Sequence, residues 1–202
     1  MQPHAQEIVT PAGSPVTTIA DLRGKTIGVN VKDNIGTLLV GTALEENGVP
    51  VADAHLKPIP FPDMATALQK HEIDAAWLPE PFISSAEEQI GAQQLFDVDQ
   101  GATANFPIAG YVATKTWMQK YPRTAAAFTA ALEKGQALAD SSRADAERGM
   151  QTFAGVDLQT AAIMAFPSYP LGVDRIRLQR VADAMQRFGL LTKGFNVAQM
   201  TG

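Results

Sequence analysis

Cysteine is absent from all 202 residues. That excludes disulfides, thiolate metal sites and a cysteine nucleophile, but it leaves the compartment open, because many exported proteins manage without disulfides. Basic charge is also scarce: 16 Lys and Arg against 21 Asp and Glu give a net charge of −5 and a pI near 5.2. Such a balance argues against nucleic acid as a partner, which needs a basic surface. No apolar run approaches the ~18 residues of a membrane span. The three histidines, His4, His55 and His71, are far apart and sit in no metal-ligand or nucleophile spacing. No serine lies in a G-x-S-x-G context and no glycine-rich phosphate loop is present. The sequence therefore nominates no catalytic residue, no metal and no cofactor. The opening MQPHAQEIVT lacks the basic and apolar regions of a signal peptide.

What is present is a repeated strand-to-helix grammar. Ala20–Asn30, ADLRGKTIGVN, reads as a turn feeding a short buried strand. In Lys32–Gly48, polar Asp33 and Asn34 and small Gly36 and Thr37 precede Leu38, Leu39, Val40, Ala43 and Leu44 at helical spacing. Gly48 is placed to end that helix. The pattern returns with HLKPIP (55–60), a helix that Asp63 is suited to cap, the buried run IDAAWL (73–78), and a helix opened by Pro79–Phe82. Strands separated by helices of this length predict right-handed βαβ crossovers and an α/β domain with a mostly parallel sheet.

DLRGKTIGV, ALEENGV, ALQKHEIDAAWLPEPF and GYVATKTWMQKYP, in that order, resemble the solute-binding proteins of ABC transporters. The branch they resemble handles nitrate, aliphatic sulfonates, taurine and thiamine pyrimidine precursors, and the tail YPLGVDRIRLQRVADAMQRFGLLTKGFNV resembles its carboxyl end. The resemblance implies a type II periplasmic-binding-protein fold, two lobes closing on a small solute, an ABC permease as partner, an extracytoplasmic location and no chemistry. Members of that family carry a large half-lobe before the DL-x-GK phrase, where this chain has only Met1–Thr18. The expectation is therefore one βαβ lobe over 19–114, a linker or remnant of an inter-lobe connection over 1–18, and a helical region over 115–202 belonging to a second, incomplete lobe.

That last region reads as helix after helix. PRTAAAFTAALEKGQALADSS starts at Pro122, which suits a first helical turn. Further helices are predicted over 143–153, 158–166 and 173–188, the last amphipathic, with Arg175, Arg177 and Arg180 read as solvated. If the other half-lobe is missing, Phe128, Leu132, Val181 and Phe188 lack the sheet they would cover, and the chain should self-associate.

Three clusters are candidates for touching a solute. Asn34, Gly36 and Thr37 stand where a strand ends and a helix begins, a junction that either seats an anion or is simply capped. Trp77, Glu80 and Phe82 either wall a pocket, with Glu80 accepting from an amine or aminopyrimidine, or are a core tryptophan and a helix-start carboxylate. Asn105 and Tyr111 lie in NFPIAGY, read as the approach to an inter-lobe strand or as a polar loop before a buried strand. The function expected is capture of a small organic solute for an ABC importer. The alternatives of the same fold are the sensor domain of a LysR-type regulator, disfavoured by the lack of a helix-turn-helix, and a pyrimidine-precursor synthase, disfavoured by the lack of cysteine.

Overall fold

In a computed structural model that describes residues 4–201, the strand-to-helix units read from the sequence build one five-stranded sheet. The strands are β1 (Gln6–Thr10), β2 (Thr26–Val29), β3 (His55–Pro58), β4 (Ala75–Pro79) and β5 (Gln93–Asp97), in the order β3-β2-β4-β1-β5. β2 runs parallel to both β3 and β4. Helix α1 (Ile35–Glu46) connects β2 to β3, α2 (Phe61–Gln69) connects β3 to β4, and α3 (Phe82–Ile90) connects β4 to β5. Gly48, at φ 75°, follows α1 in the left-handed conformation that a glycine accepts without strain.

The two faces of the sheet carry separate apolar clusters. Ile27, Val29, Leu39, Val40, Leu44 and Trp77 pack on the α1 side. Met64, Leu68, Ile73, Leu78, Ile83 and Ala86 pack on the side of α2 and α3. Alternation along β1 sends Ile8 into the first cluster and Val9 into the second, both fully buried.

The expectation over 1–18 is a linker or a remnant of an inter-lobe connection, and β1 rules out only the first, for Gln6–Thr10. Gln6–Thr10 is a fully buried strand, antiparallel to both β4 and β5. The Pro and Gly that suggested a linker begin only at Pro11, and five residues paired on both sides are too few to announce themselves by periodicity. β5, at the opposite edge from β3, carries no clear alternation either.

After residue 114 the chain is helical: α4 (Lys115–Lys120), α5 (Pro122–Ser141), α6 (Arg143–Gly149), a π-helical turn over Met150–Ala154, α7 (Leu158–Ile163) and α8 (Arg175–Arg187). Assigning all of 115–202 to another lobe is too broad. Helix α8 lies on the α1 face, where Val181 and Ala184 join the core and Phe188 sits so close to α1 that a Cβ at Gly41 would be 2.9 Å from its Cε1. Two of its arginines are therefore tied to the rest of the fold. Arg180 donates to the carbonyls of Ala102 and Ala104 and lies over the Phe106 ring, and Arg187 pairs with Glu45. Val181 and Phe188 thus have cover, contrary to expectation. Phe128 does not, and α5 has no buried residue along its whole length.

Glu7 is the one acid of β1, and only 4 % of it is exposed. His4 Nδ1 lies 3.2 Å from its Oε1, Asp97 is opposite it in β5, Glu87 is close in α3, and Oε2 has no partner. Burial pushes its carboxyl from 4.5 up to about 7, against the opposing pull of His4. Between those values the folded chain holds a proton that the unfolded chain has released, so this contribution to stability is full below pH 4.5 and lost as pH rises through about 7. Urea midpoints at pH 5 and pH 8 should therefore fall for the wild type relative to Glu7→Gln, and parallel profiles would contradict the assignment.

Candidate functional site at the carboxyl ends of the parallel strands

The parallel strands β2, β3 and β4 end together, and α1, α2 and α3 each start just beyond them. In open α/β sheets this end is where ligands bind. Trp77, near the end of β4, is only 3 % exposed and turns its benzo edge toward α1. Gly36 permits that approach, since a methyl there would overlap Cε3 and Cζ3 of the indole. Phe61, the first residue of α2, is tilted on Trp77 with ring centroids 5.4 Å apart. Phe82, the first residue of α3, stacks on Phe61 at 5.2 Å and 24°. Both phenylalanines are half-buried. The indole Nε1 of Trp77 is buried without a hydrogen-bond partner.

The polar groups here are mostly spent on one another. Asn34 caps α1: its Oδ1 accepts from the backbone N–H of Gly36 at 3.0 Å and of Thr37 at 3.4 Å, while its Nδ2 donates to Asn30 Oδ1 at 2.8 Å. Thr37 Oγ1 accepts from the Asp33 N–H at 3.0 Å. The open anion seat read from the sequence is therefore filled from within, because asparagine at the cap position supplies its own acceptor.

Glu80 is likewise engaged. Its carboxylate accepts from the Ser84 N–H and hydroxyl at 3.1 and 2.9 Å, and from the Ala165 N–H at 3.3 Å. Proline at 79 and 81 frames this residue so that it caps α3 and also holds the segment after α7. A carboxylate saturated in this way is a tie between chain segments and not a free acceptor for a solute.

Asn105 and Tyr111 are not brought to this end. Asn105 is exposed, at φ 57°, just after a 3-10 turn whose Ala102 N–H bonds Glu46 in the last turn of α1, the opposite end from Asn34. Twelve helical residues separate those ends by about 18 Å. Tyr111 is 74 % exposed and meets Phe128 edge-on, and no strand forms around it. The apolar run that suggested a strand has no neighbour to pair with among the described residues. Phe61 was missed by sequence reading. Its signal was its place directly after the strand phrase HLKPIP, the position Phe82 holds after IDAAWLPEP.

Residues 1–144 match the model of the NMT1/THI5-like family, and the chain belongs to that family. A putative aliphatic sulfonates-binding protein of Escherichia coli (strain K12) is 27% identical over 143 residues, which cover 70% of this chain and 43% of that protein. The chain thus spans less than half the length of this curated relative. Among solved structures, the periplasmic aliphatic sulphonate binding protein SsuA of Escherichia coli superposes with a TM-score of 0.77 at 24% identity, over 100% of this chain and 70% of that one. The alkanesulfonate-binding SsuA of Xanthomonas axonopodis pv. citri, bound to MOPS, gives 0.78 at 19% identity, over 98% and 69%. These likenesses establish the fold: an α/β lobe of the periplasmic-binding-protein kind with a partial second lobe.

Glu80→Gln removes a charge-assisted acceptor from Ser84 and Ala165. Urea unfolding should show a loss of about 1–2 kcal/mol. Unchanged stability would show that the carboxylate is free for another role.

Proposed function

We propose that the chain is the solute-binding component, or part of one, of an ABC importer, taking a small organic anion such as a sulfonate at the carboxyl ends of β2, β3 and β4. The observation that carries this reading is the convergence of three strand ends and three helix starts on one aromatic cluster in a chain of this family. Asn34, Gly36, Thr37, Trp77 and Phe82 are the solute-side residues in this reading, with Phe61 added. The relatives' names support binding of a sulfonate and an extracytoplasmic location, and one of them names a sulfonate ABC transporter.

Solute affinity for a closed arrangement of lobes would give the transporter its signal, since a ligand shifts an equilibrium only by its differential affinity for two states. A thermal-shift series with methanesulfonate, taurine, nitrate and an aminopyrimidine tests the reading. A sulfonate should raise the melting temperature in proportion to RT ln(1 + [L]/Kd), and no shift with any of the four would overturn it.

The exposed apolar side chains of the helical region, Trp117, Met118, Phe128 and Leu138 among them, support self-association of the isolated chain. Light scattering should show species larger than a 21.5 kDa monomer. A monodisperse monomer would contradict this part.

A further inference from the structure

Resting on that reading, we propose that this lobe holds the apolar body of its solute, not the anionic head, and that Phe61 and Phe82 select anions with an aromatic body. The observation is a contrast at the strand ends between the acceptors of Asn34, Asn30, Thr37 and Glu80, which are engaged, and the rings of Phe61 and Phe82, which are only partly covered. Asn34 Oδ1, Asn30 Oδ1, Thr37 Oγ1 and the Glu80 carboxylate all accept from the backbone or from neighbouring side chains. An anionic head arriving here would have to displace the Asn34 cap from Gly36 and Thr37, losing as many hydrogen bonds as it gained.

The aromatic pair is in the opposite condition. Phe61 and Phe82 are stacked at 5.2 Å, Phe61 is tilted on Trp77, and both rings are left only partly buried at the starts of two helices. Buried Trp77 fixes the position of this platform, and Gly36 lets α1 close over the indole's other edge. A phenyl ring faces solutes with a negative quadrupole, so its face repels sulfonate oxygens and accepts another ring, offset or edge-on. Covering the exposed parts of two partly buried rings also removes apolar area from water, which a one-carbon sulfonate is too small to do.

Calorimetry on the 202-residue chain with benzenesulfonate and methanesulfonate, two probes sharing one head group, tests this directly. Benzenesulfonate should bind at least tenfold more tightly. Phe61→Leu and Phe82→Leu should each reduce that ratio at least threefold. Equal affinities in the wild type, a comparison that requires no variant to fold, would overturn the proposal and leave the sulfonate reading standing. A preference that survives both substitutions would also overturn it. Binding of neither probe would overturn the solute-binding reading itself, and the proposal with it.

Discussion

The structure depends on a five-residue strand gaining two neighbours at once. Gln6–Thr10 hydrogen-bonds to β4 on one side and β5 on the other, and it puts one fully buried side chain into each apolar cluster. Burying Ile8 and Val9 stabilises by roughly 1.5–3 kcal/mol each, comparable with the cost of ordering a residue or two. Only the combination of two ladders and two clusters makes so short a segment hold. The site inherits its geometry from this arrangement: Ile8 lies opposite Trp77 in register, so the strand that closes the sheet also positions the indole under Phe61.

The helical part divides according to what it can cover. Helix α8 reaches the sheet's α1 face through Val181 and Phe188, and its Arg180 satisfies two carbonyls in the loop after β5. Helix α7 is tied to the strand ends through Glu80 and Ala165. Helix α5 has neither kind of attachment. Its alanine-rich composition supports a helix by propensity, but Phe128 and Leu138 find no core among the described residues.

The central βα units were legible because their helices are amphipathic or apolar over two and a half turns or more and their strands end at proline or just before asparagine. ADLRGKTIGVN followed by the α1 pattern, and IDAAWLPEPF, place β2, α1, β4 and α3 close to where they form. β1 and β5 were not legible, since five residues that open on two polar ones and close on Thr10 or Asp97 carry no decisive period. At the site, Trp77 and Phe82 were visible as an aromatic pair, but the fate of Asn34 and Glu80 was not. Whether a polar side chain faces a solute or its own helix depends on which N–H groups lie within 3.5 Å, and sequence fixes that only at the capping position. Asn105 and Tyr111 went elsewhere because the strand read around them needs a neighbour that the described residues do not supply.

The central claim is that a solute meets the carboxyl ends of β2, β3 and β4. Amide chemical shifts of the chain followed during titration with methanesulfonate or benzenesulfonate test it most directly. The account predicts saturable changes confined to Asn30–Thr37, Pro60–Met64 and Trp77–Ser84, with the Trp77 indole N–H among the largest. Changes centred instead on the open groove lined by Arg175, Gln179, Asp183 and Asn196, with the strand ends unmoved, would contradict it.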